Sequence, residues 1–239
     1  TAYPRVSRAA SFKTRGTQDV SPLGSSHSQN LDHSSSKKIA PRSGLQFQVG
    51  PLFENTEFLE NIYTADTLDP VCPQITARID RGLKLIDNQW IGYKRNYFTV
   101  TAAFEMKPLG IAECRKKKFR MENGSGDLMP IEYFAMQLVS VCVETNEEVP
   151  LVQHTAKRDK GPQSEPPIYP IIPGKLPDHT TVKEAANIRN DIKIAELNSI
   201  FYLLPEERKD HKLCNTYPYD QEVSTAARYE RIQFSTSIH

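Results

Sequence analysis

A long stretch of alternating residues, 90–106, constrains the fold of this chain more than any other feature. Residues of one parity are apolar at both ends of the stretch: Trp90, Phe98, Val100, Ala102 and Phe104. Residues of the other parity are mostly polar or aromatic: Ile91, Tyr93, Arg95, Tyr97, Thr99 and Thr101. Side chains alternate across a strand, so the pattern predicts a β-strand with one face in a core and the other at the surface. Lys94 and Asn96 interrupt the inner face, which predicts a bulge or a tight turn near them.

Shorter segments with the same period predict further strands: 45–49, 75–79, 151–155 and 227–238. Residues 131–143 are almost continuously apolar, which predicts a strand buried on both faces. Helical spacing is weaker. Helical spacing occurs between 182 and 204, although residues 190–197 suit a strand equally well. Residues 205–212 suit a short surface helix. Many strands with few helices predict a mainly β fold, a β-sandwich with extra loops and a few short helices.

The first 44 residues differ in composition from the rest of the 239-residue chain. Seven serines lie between Ser21 and Ser36, and aliphatic side chains are scarce. Such a segment buries too little apolar area to offset the entropy lost on ordering, so we expect a flexible, basic tail over residues 1–44. We expect one domain over residues 45–239, a length that suits a single buried core.

The charges of the chain are segregated along the sequence, although the formal net charge is only +1. Residues 1–44 carry seven basic and two acidic side chains, and residues 45–80 carry one basic and six acidic. Residues 81–120 carry ten basic and three acidic side chains, whereas residues 121–150 carry six acidic and none basic. A concentrated basic region is expected of a protein that binds a polyanion. Solvated strand faces would give the same segregation, so charge alone favours neither interpretation.

The sequence lacks the features of membrane proteins and of the common enzyme families. It contains no run of ~18 apolar residues and no apolar region of a secretory signal at its start. P-loop, GxGxxG, HExxH and GxSxG motifs are absent. His154 near Asp159 suggests acid–base chemistry, but a single histidine that borders a basic loop is the more common situation. Widely spaced cysteines predict reduced thiols in an intracellular protein: Cys72, Cys114, Cys142 and Cys214.

From these absences we expect no enzymatic activity, no catalytic residues, no metal site and no cofactor. We also expect no small-molecule substrate and no association with a membrane. Three clusters of basic residues then remain as candidate binding sites.

The first cluster is YKRNYF at 93–98, where Lys94, Arg95 and Asn96 interrupt a strand that otherwise packs in a core. Charged side chains at such a position are costly unless they face a partner. An arginine there is suited to bind guanine O6 and N7 through two parallel donors. A neighbouring tyrosine or asparagine is suited to hold a phosphate or to stack on the guanidinium group.

The other clusters are RKKKFR at 115–120 and QHTAKRDKGP at 153–162. For the former, three interpretations are open: contact with the DNA backbone, a nuclear-import signal, or a solvated loop. The latter places Lys157, Arg158 and Lys160 on a loop between a strand and a Gly-Pro pair. A mobile loop on a rigid scaffold suits contact with a DNA groove.

Three segments, in their order and spacing, resemble the PhoG-like (NDT-type) family of fungal transcription factors: WIGYKRNYFTV at 90–100, LVQHTAKRDKGPQ at 151–163 and ARYERIQFSTS at 227–237. The resemblance covers residues 45–239. It implies an s-type immunoglobulin-like β-sandwich that docks loops on DNA, with arginines that contact guanines at flexible pyrimidine–guanine steps. It also implies a further basic segment and a hydrophobic strand after 237, so we expect a domain truncated at its C-terminus in this sequence, which ends at His239.

Carried over motif by motif, the resemblance implies base contact by Arg95, with Lys94 and Tyr97 on phosphate or in stacking. Arg158 is the second expected base-contacting residue, with its lysine neighbours as alternatives, and Arg231 is a third contact. The full set of predicted DNA-binding residues is Lys94, Arg95, Asn96, Tyr97, Arg115, Lys116, Lys117, His154, Lys157, Arg158, Lys160 and Arg231.

The sequence therefore predicts sequence-specific binding of double-stranded DNA, by a monomer, in the nucleus. The protein is expected to be a fungal transcription factor for genes of development, meiosis or nutrient starvation. The alternative is a β-sandwich protein-interaction module whose basic loops bind an acidic protein partner.

Overall fold

The computed structural model describes residues 7–9, 48–92, 96–155, 161–185, 199–209, 212 and 222–235 of the chain. Within them the fold is mainly β, as predicted. The strands are β1 (Ser7–Ala9), β2 (Thr56–Phe58), β3 (Ile62–Thr64), β4 (Pro70–Arg81), β5 (Leu83–Ile86), β6 (Gln89–Gly92), β7 (Phe98–Lys107), β8 (Phe119–Glu122), β9 (Leu128–Ile131), β10 (Phe134–Met136), β11 (Leu151–His154), β12 (Gln163–Ser164), β13 (Tyr169–Ile171) and β14 (Ala227–Phe234). The helices are α1 (Ile111–Cys114), α2 (His179–Ala185) and α3 (Pro205–Arg208).

In the described chain, eight strands form one sheet in the order β12-β11-β14-β7-β4-β3-β8-β9. All of its pairs are antiparallel. The longest pairing joins β4 and β7, from Cys72 opposite Lys107 to Arg81 opposite Thr99. The predicted inner face of β7 is confirmed, because its even-numbered residues are buried: Val100, Ala102, Phe104 and Met106.

The opposite face of β7 is buried as well, so the prediction that it lies at the surface was wrong. Thr99 and Thr101 are almost inaccessible to solvent. A second apolar cluster covers this side of the sheet: Ala103, Val182, Phe201 and Ala226. Threonine tolerates burial when its hydroxyl is bonded, and the Thr101 hydroxyl donates to the Asp80 carboxylate at 2.7 Å. The polar character of this face is therefore compatible with burial.

The Asp80 carboxylate ties α2 to the sheet. Its side chain is fully buried, and the Arg78 guanidinium donates to one of its oxygens. His179 Nδ1, in the first turn of α2, lies 2.8 Å from the same oxygen. Arg78 also donates to the carbonyl of Pro177, which precedes the helix. A buried carboxylate is costly without partners, and these contacts offset that cost.

The predicted single element over 90–106 consists of two strands that belong to different sheets. β6 pairs with β5 in a hairpin, and β7 begins only at Phe98. Asp87 and Asn88 at the tip of the hairpin both have positive φ, as a two-residue type I′ turn requires. The predicted bulge or tight turn near YKRN stays a prediction, because residues 93–95 lie outside the described chain; the described Asn96 and Tyr97 are not part of a strand.

Gly82 allows this hairpin to leave the sheet between β4 and β7. Its φ is +106°, and a Cβ placed on it would lie 2.5 Å from the carbonyl oxygen of Tyr97 and 2.6 Å from Cα of Phe98. No side chain fits such a gap, and glycine alone adopts this φ at little cost. The beginning of the hairpin therefore lies directly against the beginning of β7.

Residues 131–143 do not form the predicted strand that is buried on both faces. Ile131 ends β9, and β10 pairs only with β13, with Phe134 opposite Ile171. None of the 13 residues is fully buried. Several of them pack against the edge of the main core: Ile131, Tyr133, Phe134, Met136 and Leu138. An apolar run reports that side chains are covered, but it does not specify a partner strand on either side.

Residues 50–58 cover the edge of β4 that β7 leaves free. The Gly50 N–H donates to the Ile79 carbonyl at 2.8 Å. The Thr56 side chain bonds both backbone groups of Ile75, at 2.8 Å to the N–H and 3.2 Å to the carbonyl. An uncovered edge of this length would invite pairing with another chain. The polar backbone groups of β4 are thus satisfied along this part of the strand.

β1 lies within the predicted N-terminal tail and pairs with β2, with Arg8 opposite Glu57. Residues 1–6 and 10–47 are outside the described part of the chain, so the flexible tail over 1–44 and the domain over 45–239 stay predictions. The predicted strand at 45–49 is absent at the described residues 48 and 49. The immunoglobulin-like β-sandwich also stays a prediction.

The other predicted elements form where they can be compared. The strands expected at 75–79, 151–155 and 227–238 are confirmed as β4, β11 and β14. The surface helix expected after Pro205 is α3, which begins with this proline, a residue suited to the first turn. α2 overlaps the start of the helical pattern at 182–204, and residues 186–198 lie outside the described chain.

We expect Gly82→Ala to lower the free energy of unfolding by at least about 2 kcal/mol, because the added Cβ meets the Tyr97 carbonyl at a φ that disfavours side chains. Urea denaturation followed by circular dichroism measures the change. Gly124→Ala is the matched control, since nothing lies within 4 Å of a Cβ added there. Equal stabilities of the two variants would contradict the role of Gly82.

Candidate nucleic-acid interface

One end of the central sheet brings together segments that are far apart in sequence. Tyr97 directly precedes β7, and His154 is the last residue of β11. β14 lies between these two strands, with Ile232 opposite Phe98 on one side and opposite Gln153 on the other. The Tyr97 and His154 rings contact each other, with centroids 4.9 Å apart and planes inclined by 52°.

Both neighbours of β7 are irregular at this end. The register shifts between Ile79 and Arg81 in β4, and between Tyr229 and Ile232 in β14. The two shifts face each other, because Ile79 and Tyr229 both pair with Val100. A bulge inserts an extra residue and turns nearby side chains to a new direction. The sheet is therefore reshaped on both sides of the point where β7 begins.

Arg231 lies within the irregularity of β14 and has a φ of +53°. An L residue other than glycine in this region carries roughly 1–2 kcal/mol of strain. Its side chain is half-buried, and it has no hydrogen-bond or ion-pair partner among the described residues. Such strain without a visible structural benefit is typical of residues retained for a function. Arg231 is thus the predicted contact residue that the backbone geometry singles out most clearly.

His154 lies beneath the surface at this end. It is only 6% exposed, and its Nδ1 atom has no hydrogen-bond partner in the described part of the chain. Tyr97, which it contacts, is half-buried, whereas Asn96 is exposed. This burial favours a role for His154 as support for the Tyr97 ring rather than direct contact with a groove. Asn96 and Tyr97 are accessible to a ligand.

Five predicted contact residues lie outside the described residues: Lys94, Arg95, Lys157, Arg158 and Lys160. The predicted convergence of the YKRN and KRDK segments therefore stays a prediction. The described residues next to these two segments do lie close together. Tyr97 follows the first segment, and His154 precedes the second. These two residues are in contact.

Two basic residues at this end were missed by the sequence analysis. Arg81 is half-buried opposite Thr99 at the end of β4, and Lys84 is exposed on β5. Both lie in a stretch whose alternation reports only strand structure. The sequence feature that could have drawn attention to them is Gly82, which lies between them. A glycine within a strand pattern often marks a bulge or the close approach of another segment.

The second basic cluster lies at the opposite end of the sheet. Residues 115–117 follow α1, which comes after the C-terminal end of β7, whereas Tyr97 precedes the N-terminal end. Ten strand residues separate these ends by about 30 Å. The Ala65 N–H, in the turn that leads to β4, donates to the Lys118 carbonyl. The structure therefore does not bring Arg115, Lys116 and Lys117 to the contact of Tyr97 with His154.

Lys117 is held to the sheet by an ion pair. Its ammonium group donates to the Asp66 carboxylate at 2.7 Å. This hydrogen bond raises the pKa of Lys117 and lowers the pKa of Asp66. An exposed pair of this kind contributes little stability. It does occupy the ammonium group, which makes Lys117 a weaker candidate for a ligand contact than Lys116.

Other chemical features of the described ranges concern metal binding, membranes and thiols. No group of three or more His, Cys, Asp or Glu side chains there is suited to hold a metal ion. No described helix is long and apolar enough to cross a membrane. Cys72, Cys114 and Cys142 are free thiols, and burial raises the pKa of Cys114 to about 11. Asp159, the acid–base partner considered for His154, lies outside the described chain.

Comparison with known proteins relates the chain to one family. Residues 89–239 match the model of the NDT80 / PhoG like DNA-binding family. Transcription factor NDT80 of Candida albicans is 37% identical over 259 aligned positions, which cover 90% of this chain and 51% of the relative. Meiosis-specific transcription factor NDT80 of Saccharomyces cerevisiae is 39% identical over 213 positions, which cover 84% of this chain and 33% of the relative. The chain thus spans about half and a third of the lengths of these two relatives.

We expect Arg231→Gly to exceed Arg231→Ala in stability by about 1 kcal/mol, because only glycine relieves the strain of a positive φ. The two variants lose the same guanidinium group, so the difference between their free energies of unfolding reports the backbone strain at this residue. Midpoints of urea denaturation measure it. A glycine variant that is less stable than the alanine variant would show that the strand conformation at this residue is not strained.

Proposed function

Because this chain belongs to the NDT80 / PhoG like DNA-binding family, we propose that it binds double-stranded DNA in a sequence-specific manner. The two fungal relatives described above are named as transcription factors. We infer a transcription factor that acts in the nucleus on genes of development, meiosis or nutrient starvation. It binds its site as a monomer.

The contact of Tyr97 with His154 is the observation that carries this proposal. Arg95 is two residues from Tyr97, and Arg158 is four residues from His154. Since each trans peptide advances the chain by 3.8 Å, the two Cα atoms stay within about 8 and 15 Å of the Cα atoms of the contacting pair. Long arginine side chains on such short tethers are able to enter one DNA groove together.

Nine of the twelve predicted residues have a defined role in the proposal, and Arg115, Lys116 and Lys117 at the opposite end of β7 do not. Arg95 and Arg158 each bind guanine O6 and N7 through two parallel donors. Arg231 is the third arginine contact, and its strained backbone supports this role. The phosphate and stacking contacts come from Lys94, Asn96, Tyr97, Lys157 and Lys160. His154 supports the Tyr97 ring from beneath.

The domain organisation in the proposal follows the sequence analysis. Residues 45–239 form an s-type immunoglobulin-like domain that docks loops and a sheet end on DNA. Residues 1–44 form a flexible basic tail beside it, attached to the domain where β1 pairs with β2. The exposed polar residues at the end of the sheet and the mainly β architecture support this arrangement.

We expect Arg95→Ala to remove about 1–3 kcal/mol of discrimination at one guanine position and to leave the other positions unchanged. The site is first obtained by selection of bound duplexes from a random pool. Gel-shift titrations with single-base variants of that site then measure the discrimination. Lys94→Ala is the control, and it should weaken binding to all the duplexes alike. Unchanged preference at every base in Arg95→Ala would contradict the assignment.

Salt dependence tests whether the partner is DNA or an acidic protein. We expect the logarithm of the binding constant for the selected duplex to fall with the logarithm of salt concentration by about 0.9 per phosphate contact. Lys157→Gln should reduce the magnitude of this slope by about one, because it removes one phosphate contact. Fluorescence anisotropy measures both slopes. A slope near zero for the unmodified chain would favour the protein-interaction alternative.

A further inference from the structure

The opposite end of the sheet joins two segments that are distant in sequence and that both carry basic residues; the second, at 205–212, also carries Glu206 and Glu207. The Lys212 N–H donates to the Arg115 carbonyl at 2.9 Å, which places the chain after α3 against the chain after α1. We define the distal basic surface as the basic residues of these two segments: Arg115, Lys116, Lys118, Lys209 and Lys212. Neither segment reveals this juxtaposition in the sequence.

The fold holds the first of these segments at three residues. Cys114 and Phe119 are buried, and Lys117 is paired with Asp66. Lys116 and Lys118 between these anchors are exposed. Neither has an ion-pair partner among the described residues, and the same holds for the exposed Lys212. Lys116 and Lys118 therefore present their ammonium groups to solvent from a segment that is fixed at Cys114, Lys117 and Phe119.

The Arg115 side chain adds a second observation. It is half-buried, and its Nε atom is inaccessible and has no hydrogen-bond partner in the described chain. Because this atom is closed to solvent, an anion at the surface cannot accept its hydrogen bond directly, and the guanidinium group acts on an anion through its charge. The exposed lysines therefore carry the direct contacts of the surface, with the Arg115 charge behind them.

The geometry disfavours one earlier interpretation of this cluster, that of an import signal. The Lys116 and Lys117 N–H groups donate to the carbonyls of Glu113 and Cys114, and the Lys118 carbonyl accepts from the Ala65 N–H. Strand β8, which begins at Phe119, is paired on both edges. A receptor that binds an extended peptide needs the backbone of the segment to be free. Here the backbone is occupied and only side chains project. Side chains alone suffice for phosphates, which are bound as charges without regard to base sequence.

We propose that the distal basic surface binds the phosphate backbone of a second segment of duplex DNA while the Tyr97 end holds the specific site. The two surfaces lie at opposite ends of β7, about 30 Å apart, so each has its own access to solvent. A protein with two such surfaces passes from one duplex to another without first being free in solution. This inference rests on the proposed function, because it takes the specific site as the first of two contacts.

Dissociation kinetics test the proposal. A fluorescent duplex that carries the selected site is bound to the chain, and an unlabelled duplex of mixed sequence is added at rising concentration. With direct transfer, the dissociation rate rises about tenfold for a tenfold rise in competitor, once transfer outpaces spontaneous release. The triple variant Lys116→Gln, Lys118→Gln, Lys212→Gln should show a rate that does not depend on competitor. Lys175→Gln, at an exposed residue outside both basic surfaces, should behave as the unmodified chain.

An equilibrium measurement completes the design. The triple variant should bind a short duplex of the selected site within about twofold of the unmodified chain, since distant sites act independently. Circular dichroism verifies that the variant is folded, as expected for three exposed positions. A rate independent of competitor in the unmodified chain, or dependence retained in the triple variant, would overturn the proposal. Failure of the proposed function would appear earlier and differently, as a selection that enriches no duplex.

Discussion

The close approach of Gly82 to the beginning of β7 sets the geometry of the proposed DNA-binding end. β4 and β7 pair without a gap for most of their length, and then the chain of β4 has to leave the sheet where Arg81 faces Thr99. It does so at a residue with no side chain, in contact with the Tyr97 carbonyl. The backbone position of Tyr97 is thereby fixed from the β4 side, and its ring meets His154 of β11. The relative positions of β4, β7 and β11 at this end thus depend on residue 82 being a glycine.

The same end of the sheet carries features that lower stability rather than raise it. Arg231 has an unfavourable φ, and the buried Nδ1 atom of His154 has no partner in the described chain. Natural proteins keep such features where function requires them and offset them elsewhere. The offset here comes from the long pairing of β4 with β7 and from the network around Asp80. In this protein, then, the rigid middle of the sheet supports an end whose local geometry is suited to a ligand.

Each prediction from the sequence was correct only for the property that its pattern reflects, such as which side chains are buried. Alternation identified β4, β7, β11 and β14, because half-buried strands expose one face and cover the other. Alternation failed for the threonine face of β7, and the continuous apolar run failed for residues 131–143, since a pattern of polarity does not reveal which helix or strand will cover a segment. The sequence shows the basic clusters as runs of charged residues. It does not show that β7 places two of them at opposite ends of the sheet. The contact of Tyr97 with His154 requires the register of β14, and that of Lys212 with Arg115 requires the tertiary fold.

The net charge of the chain is a poor guide to its partners, because some charged side chains are neutralised in ion pairs within the fold and others are not. Asp80 is buried with Arg78, and Asp66 is paired with Lys117, so these four charges produce little field beyond their own neighbourhood. A field in solution is screened over about 10 Å at ordinary salt, so a ligand senses local charge and not the sum over the molecule. What a polyanion meets at the distal basic surface is a set of lysines without described ion pairs. A nearly neutral chain is therefore able to present local basic surfaces, and in our proposal their placement at opposite ends of one strand allows the chain to hold two duplexes.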